Sequence, residues 1–214
     1  MKHLRFTFDV ISPYAYLAFE RLPQVLQGVN HEVSYQPVLL AGLLQHWGQK
    51  GPAEIAPKRD WTYRQVMWLA HQLGIPLQMP TQHPFNPLAL LRLSLASTPA
   101  GLTPNRWVCE QVLRHVWCGG ADANDSARLE ALAQRLAPQR DAASAEVKDE
   151  LKVATASAAQ RGLFGVPTVE VDGRLFWGLD GLDLLSAYLR GDAWFTGPQW
   201  DAAVSVPVGV QRKH

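Results

Sequence analysis

The chain has 214 residues, of which 47% are hydrophobic and 18% are charged. This length and composition allow a substantial core, either as one domain with an insertion or as two small domains. The formal net charge of +1 predicts binding neither to nucleic acid nor to an anionic membrane. No apolar run has the length needed to cross a bilayer, and the opening residues are not typical of a secretion signal, so a cytoplasmic location is the default expectation.

The opening segment predicts a strand, a tight turn and a helix. Apolar and polar residues alternate over 4–10, and helical spacing begins at Pro13. Ser12 is a good N-cap because its oxygen can accept a bond from a free helix amide, and proline at the first helical position has no amide to leave unpaired. Alternation returns over 31–36, which predicts a β-α-β unit with parallel strands.

A helical block follows this unit and ends before the last strands. Apolar residues recur at helical spacing in four stretches separated by Gly and Pro, which predicts four or five helices. After the block, the pattern predicts a helix over 145–161, a hairpin over 168–177 that turns at Asp172-Gly173, and a closing helix over 180–189.

Without the helical block, the order of elements is that of a thioredoxin. We therefore predict an α/β fold in which residues 1–38 and 145–192 form a discontinuous thioredoxin-like domain. Residues 39–144 form an all-helical insertion domain, and residues 193–214 form a C-terminal tail. The aromatic residues of the tail, among them Phe195, can pack on the body of the protein or on a partner.

Several residue types of the helical block are interpreted as structural. Cys109 and Cys118 would lie on opposite faces of one helix, so they are interpreted as buried core residues without a shared bond or metal. The histidines lack the spacing of a metal site, so no metal is expected. Four tryptophans at helical intervals are interpreted mostly as core, with a minority available to line an aromatic pocket: Trp61, Trp68, Trp107 and Trp117.

The turn at Ser12 is the first candidate for chemistry. A helix N-terminus presents unpaired amides and a partial positive charge, so it favours an anion such as a thiolate. Residues 12–15 contain no cysteine, which excludes disulfide exchange by the chain's own thiols at this turn. Taken by itself, Ser12 is better explained as a helix cap.

The second candidate is the segment 164–168, where a glycine that ends a helix precedes a proline at the entrance to a strand. A cis Val166-Pro167 bond would suit this tight entry, although cis is the minority state, and the spacing leaves both isomers open. In the cis form, Val166 would offer free N–H and C=O groups to the backbone of a bound peptide.

Three motifs follow one another along the chain: Asp9-x-x-Ser12-Pro13-Tyr14-x-Tyr16-Leu17-Ala18, Gly162-x-Phe164-Gly165-Val166-Pro167-Thr168 and Phe176-Trp177-Gly178-x-Asp180. Together they resemble the motifs of the 2-hydroxychromene-2-carboxylate isomerases, which belong with the kappa-class glutathione transferases in the DsbA-like thioredoxin superfamily. The resemblance spans residues 4–190, and two further segments, 73–76 and 85–87, are similar. Each motif is weak alone, whereas their order and spacing are specific.

The resemblance implies glutathione as the cofactor. In that family pattern, Ser12 contacts the glutathione sulfur, Val166 and Pro167 bind the cysteinyl backbone, and Asp180 holds the γ-glutamyl end. Departures from the pattern are Gly181, where family members commonly have an arginine, and Gln65, which stands in place of an aspartate. Part of the glutathione contacts is therefore expected to be altered or supplied by other residues.

Three residues are candidates for binding the substrate. Tyr14 lies in the first motif beside the catalytic turn. Lys58, like its neighbour Arg59, stands where the family often has a basic residue and can hold a substrate carboxylate, although an ordinary surface charge also explains each one. Asn86 can hydrogen-bond a polar group of the ligand, or it can stabilise a turn, and the sequence weighs these two interpretations about equally.

The resemblance implies a glutathione-dependent isomerase of an aromatic carboxylate such as 2-hydroxychromene-2-carboxylate. The thiolate adds to a conjugated double bond, the resulting single bond rotates, and sulfur is eliminated. Two alternatives are a kappa-like glutathione transferase or peroxidase and a non-catalytic thioredoxin-like module that binds a peptide at Val166-Pro167. The presence of Ser12 together with the Trp177-Gly178-x-Asp180 motif argues against the module. A homodimer and a role in aromatic compound catabolism are implied by the family alone.

Overall fold

The chain folds into a four-stranded sheet and nine helices over the residues that the computed structural model describes, which are 1–210 apart from the side chain of Asp201. The strands are β1 (Lys2–Phe8), β2 (His31–Pro37), β3 (Thr168–Val171) and β4 (Arg174–Trp177). The helices are α1 (Pro13–Val25), α2 (Leu40–His46), α3 (Ala56–Leu73), α4 (Leu88–Ala96), α5 (Arg106–Trp117), α6 (Ser126–Leu136), α7 (Ala145–Gln160), α8 (Gly181–Leu189) and α9 (Pro198–Ala202). Short 3-10 helices cover Pro52–Glu54, Ala193–Thr196 and Ala203–Ser205.

The sheet has the strand order β2-β1-β3-β4. β1 pairs with β2 in parallel, as the β-α-β pattern predicted, and β3 pairs antiparallel with both β1 and β4. One row of buried side chains crosses all four strands through directly paired positions: Tyr35, Phe6, Val169 and Phe176. This arrangement, with the helical block inserted after β2, confirms the predicted thioredoxin-like α/β fold.

The helical block packs on the sheet through a shared core. It contains five helices, α2 to α6, within the four or five predicted. A single cluster of buried apolar residues includes Phe6 of β1, Phe19 of α1, Leu91 of α4, Val112 of α5 and Leu151 of α7. Because side chains from both parts fill the same core, α1 and the turn before it are supported from the insertion side as well as from the sheet.

Two predictions about buried side chains are wrong. Trp61 and Trp68 are 63% and 59% exposed, because α3 buries Val66 and Ala70, and at 100° per residue both tryptophans fall on the opposite side of the helix. In the same set, Trp107 is also exposed and only Trp117 is fully buried. Of the two cysteines, Cys109 is buried as predicted, but Cys118 is exposed because it lies just beyond the last residue of α5.

The C-terminal tail packs on the body of the protein through its aromatic residues. Phe195 is buried, with its ring centroid 6.3 Å from that of Phe176 on β4 and 5.2 Å from that of Tyr188 on α8. Trp200 stacks against the same group, 5.3 Å from Phe195. The last four residues of the predicted tail lie outside the described residues, and the proposed domain boundaries stay a prediction.

No helix in the described part of the chain combines the length and the apolar character that spanning a bilayer requires.

Candidate active site

The turn between β1 and α1 places Ser12 at the N-terminus of a 13-residue helix. The Ser12 Oγ accepts a hydrogen bond from the Ala15 N–H at 3.2 Å, which is the geometry of an N-cap, and Pro13 begins the helix as predicted. The Ser12 hydroxyl donates toward the carbonyl oxygen of Val166, 3.5 Å away. Ser12 therefore caps the helix with an oxygen lone pair and keeps its proton for a second partner.

A fully buried carboxylate lies directly before this turn. Asp9 Oδ1 accepts from the Ile11 N–H at 3.0 Å, and Oδ2 accepts from the Leu40 N–H at 2.8 Å, at the start of α2. The Ser12 N–H donates to the Asp9 carbonyl oxygen at 3.1 Å. Burial raises the pKa of Asp9 to about 7, although the hydrogen bonds from Leu40 and Ile11 act in the opposite direction. Asp9 thus ties the turn to the helical block through a group that titrates near neutral pH.

His83 supports the same turn, and nothing in the spacing of the sequence pointed to it. Its Nε2 lies 2.8 Å from the Ile11 carbonyl oxygen, and because a carbonyl only accepts, Nε2 carries the proton. Its Nδ1 lies 2.7 Å from the Tyr63 hydroxyl. The ring packs on Trp117, whose Nε1 donates to the Val10 carbonyl oxygen at 2.9 Å. Burial lowers the pKa of His83, which favours the neutral imidazole in this role.

The loop before β3 forms the second side of the candidate site. The Val166-Pro167 bond is cis, the isomer that would suit the predicted tight entry. Next to it, the rings of Phe164 and Trp177 stand 4.9 Å apart and are 38% and 51% exposed. Gly165 lies against the indole, since a Cβ on it would come within 2.7 Å of Trp177 Nε1. An open aromatic pair therefore borders the Val166 backbone.

Tyr14 connects the turn to α3 and to the start of α8. Its hydroxyl donates to Gln65 Oε1 at 2.6 Å, so the glutamine that departs from the family pattern lies at the site. Burial is the main cause that raises the pKa of Tyr14, and the negative charge of Asp180 adds to the rise. Asp180 is exposed at the N-cap of α8, and its carboxylate accepts no hydrogen bond from the described residues. It is therefore open to a cationic group of a ligand.

Lys58 lies in the first turn of α3 and is exposed. It shares one face of the helix with Thr62 and Gln65, which follow it by four and seven residues, and Gln65 is about 10 Å further along the axis. Because Gln65 contacts Tyr14, Lys58 stands on the face of α3 that is turned toward the site. None of the ion pairs in the described part of the chain includes Lys58.

Asn86 and Gly181 are explained by local structure. The Asn86 Oδ1 accepts from the Leu88 N–H at 3.1 Å, so this side chain stabilises the start of α4, one of its two predicted roles. A Cβ on Gly181 would lie 3.2 Å from the carbonyl carbon of Phe176, so the family's arginine would require α8 to shift away from β4. Among the candidate residues, the structure joins Ser12 to Val166 by a hydrogen bond, whereas the side chains of Lys58 and Asn86 make no hydrogen bond to either of them among the described residues.

The two thiols of the chain lie outside this arrangement, and the described residues offer no metal site beside it. Cys109 is buried within α5, and burial raises the pKa of its thiol. The Cys118 sulfur lies 3.0 Å from the Tyr16 hydroxyl, at the far end of α5. Among residues 1–210, no three His, Cys, Asp or Glu side chains come together in a group that could hold a metal ion.

Comparison with known proteins identifies the family of the chain. The family described as the DSBA-like thioredoxin domain matches residues 3–190. The 2-hydroxychromene-2-carboxylate isomerase of Sphingobium xenophagum is 29% identical over 198 residues, which cover 88% of this chain and 98% of that protein. Glutathione S-transferase kappa 1 of Rattus norvegicus is 28% identical over 215 residues, which cover 91% of this chain and 93% of the relative.

A solved structure of a 2-hydroxychromene-2-carboxylate isomerase has the same fold. It aligns with a TM-score of 0.76 at 23% identity, covering 95% of this chain and 100% of that one. The family match covers most of the chain, and the relatives are matched over nearly their whole length. The chain therefore belongs to the DSBA-like thioredoxin family, in the group that contains the 2-hydroxychromene-2-carboxylate isomerases and the kappa-class glutathione transferases.

Proposed function

We propose that this protein is a glutathione-dependent isomerase of an aromatic carboxylate such as 2-hydroxychromene-2-carboxylate. The observation that carries the proposal is the meeting of the Ser12 hydroxyl, at the N-terminus of α1, with the backbone of Val166. The Ser12 hydroxyl at the helix N-terminus is suited to a thiolate, and the Val166 backbone is suited to a peptide backbone. Glutathione carries a thiol and a peptide backbone in a single small molecule.

The Ser12 turn is suited to stabilise the thiolate form of the bound thiol. Lowering a thiol pKa from about 8.5 by two units requires about 2.7 kcal/mol. A helix N-terminus contributes up to about 2 kcal/mol in a partly buried setting, and a hydrogen bond to a charged group about 1.5–3 kcal/mol. The present contact of Ser12 with the Val166 carbonyl oxygen is long, at 3.5 Å, so the hydroxyl can turn to sulfur at little cost.

The remaining parts of glutathione have suitable partners around this turn. The Val166 N–H makes no backbone hydrogen bond to the described residues, so it is free to pair with the cysteinyl carbonyl. The carboxylate of Asp180 is open and can pair with the ammonium of the γ-glutamyl group. Gln65, held by Tyr14, supplies a neutral amide where the family pattern has a charge.

The proposed reaction regenerates glutathione. The chromene first opens: the bond between its ring oxygen and the hemiketal carbon breaks, the hydroxyl proton passes to the released phenol oxygen, and a ketone forms at that carbon. The glutathione sulfur then forms a bond to the alkene carbon conjugated with this ketone, and the π electron pair moves onto the carbonyl oxygen to give an enolate. The former double bond is now single and rotates. The enolate then reforms the double bond and expels the thiolate, so no net bond to sulfur remains. In this scheme Lys58 holds the substrate carboxylate, and the exposed Phe164 and Trp177 rings offer a surface for the aromatic ring.

The test follows 2-hydroxychromene-2-carboxylate by ultraviolet absorbance with and without glutathione. The key variant is Ser12→Ala, and its matched control is Ser144→Ala, because Ser144 caps α7 in the same way, with its Oγ 3.3 Å from the Val147 nitrogen. Each variant loses a helix cap worth about 1 kcal/mol. Only Ser12→Ala is expected to lose activity, by at least about tenfold, since it also loses the donor to sulfur.

Conversion without glutathione, or full activity of Ser12→Ala, would contradict the proposal.

A second candidate, a kappa-like glutathione transferase, is favoured by the 28% identity to the rat kappa enzyme over 91% of this chain. The two activities differ in stoichiometry, because a transferase consumes one glutathione per turnover and an isomerase consumes none. Measuring free thiol during conversion of the chromene and during reaction with 1-chloro-2,4-dinitrobenzene therefore separates them.

A further inference from the structure

A cleft separate from the Ser12 turn lies among α2, α4 and α7. Its volume is about 630 Å³, and none of the candidate active-site residues lines it. Gly42 allows its base to form, since a Cβ there would lie 2.8 Å from the Thr155 methyl carbon, and α2 and α7 could not approach so closely. Apolar side chains form much of the wall: Leu39, Leu88, Leu151, Ala156 and Ala159.

The polar lining of this cleft is dominated by positive charge. Arg92 of α4 lines it together with Lys148 and Lys152 of α7, and His46 lines it at the end of α2. The single acidic residue in the lining is Asp149. None of the three Lys and Arg side chains appears in an ion pair or a side-chain hydrogen bond within residues 1–210. Lys148 and Lys152 are four residues apart on one helix, where like charges repel.

The Arg92 guanidinium has a hydrogen-bond donor that the described part of the chain leaves without an acceptor. Its Nε is buried and has no hydrogen-bond partner among the described residues. A buried donor of this kind is costly unless something accepts its proton. A carboxylate is the acceptor best suited to such a group, since its two oxygens match two parallel N–H groups of a guanidinium.

We propose that this cleft binds a small molecule that carries a carboxylate on an apolar body. Arg92 receives the carboxylate, Lys148 and Lys152 add attraction and relieve their mutual repulsion, and the leucine and alanine wall covers the apolar part. The apolar wall distinguishes this ligand from inorganic phosphate, which would gain nothing from it. The site does not require glutathione or the chemistry at Ser12.

The test is a titration of the full ¹⁵N-labelled chain with 2-naphthoate, followed by backbone amide NMR. Saturable shifts are expected on α4 and α7 around Arg92 and Lys152, read separately from any shifts at Ser12. Arg92→Met is expected to weaken this binding at least tenfold, and the double variant Lys148→Met/Lys152→Met at least threefold. Arg135→Met is the matched control, because Arg135 lies on α6 and does not line the cleft. This variant should bind 2-naphthoate with the same affinity as the wild type.

Two further ligands test the chemistry of the proposal. The neutral 2-naphthamide should bind at this cleft at least tenfold more weakly than 2-naphthoate, and inorganic phosphate more weakly still. The proposal is overturned if α4 and α7 do not respond, if both the Arg92 and the double lysine variants bind as the wild type does, or if naphthamide binds equally well. Phosphate binding as tight as that of naphthoate would also overturn it, since the apolar wall would then contribute nothing.

Discussion

Asp9 should make the protein less stable as the pH rises through the neutral range. Its carboxyl group is fully buried, and its pKa is about 7, compared with about 3.9 in an unfolded chain. Between these values the native state keeps a proton that the unfolded state has released, so the free energy of unfolding falls as pH increases. The difference corresponds to about 4 kcal/mol over the whole window.

The Asp9→Asn variant removes this titration. Like the protonated acid, the amide is neutral, but its single oxygen can accept from only one of the Ile11 and Leu40 N–H groups, which bond to different oxygens of Asp9. The variant therefore loses one hydrogen bond, a cost that does not change with pH. Urea unfolding of both proteins, measured from pH 3.5 to 8.5, should give a difference in unfolding free energy that grows by about 4 kcal/mol in favour of the variant. The growth should fall between about pH 4 and pH 7, with a constant difference on either side.

A matched control uses an aspartate at the protein surface. Asp149 is exposed on α7, and because Asp149→Asn keeps the buried Asp9 carboxyl, its unfolding free energy should change with pH as that of the wild type does. If the difference between Asp9→Asn and the wild type stayed flat through the window, the carboxyl would ionise normally in the folded protein. A difference that moved in favour of the wild type as pH rose would show a stabilised carboxylate, and the electrostatic account of the turn would be wrong.

Three other perturbations address the supports of the site. Tyr63→Phe should cost about 1 kcal/mol in urea unfolding and lower kcat of the proposed isomerisation several-fold, because His83 loses a hydrogen-bond partner. An unchanged kcat would show that His83 does not hold the turn in the geometry that the reaction needs. Gly165→Ala should weaken glutathione binding about tenfold, measured by calorimetry, since the new Cβ displaces the Trp177 indole. An unchanged affinity would show that the indole is not part of the glutathione site. Phe195→Ala should cost about 3–5 kcal/mol by the same unfolding assay, whereas a tail that did not contribute to the core would leave stability unchanged.

Local signals predicted the elements that position the site. The start of α1 follows from Ser12 and Pro13, and the hairpin follows from Asp172-Gly173, because caps and tight turns depend on a few adjacent residues. The order of these elements then indicated the thioredoxin arrangement. The placement of Ser12 at the start of α1 is therefore predictable from the local sequence alone.

Contacts between distant loops were not predictable in this way. His83 reaches the carbonyl of Ile11, 72 positions earlier, and neither residue belongs to a periodic pattern that would indicate the pairing. The exposed Trp61 and Trp68 show a related limit, since helical spacing identifies a face but does not say which face is buried. In α3 the smaller Val66 and Ala70 are the residues that are buried.

The arrangement also indicates where isomerase and transferase activities would diverge. In the proposed scheme Ser12 stabilises the thiolate and Val166 binds the peptide backbone of glutathione in either reaction, so the turn does not distinguish them. The outcome depends on whether the carbon–sulfur adduct stays bound long enough to rotate and expel sulfur. A cation that holds the substrate carboxylate throughout would favour elimination of sulfur over release of the adduct. Lys58 can supply this cation, because it lies on the same face of α3 as Gln65, which contacts Tyr14. We therefore expect the choice of reaction to be governed by this face of α3, and Lys58→Met to lower chromene isomerisation more than thiol addition to an uncharged electrophile.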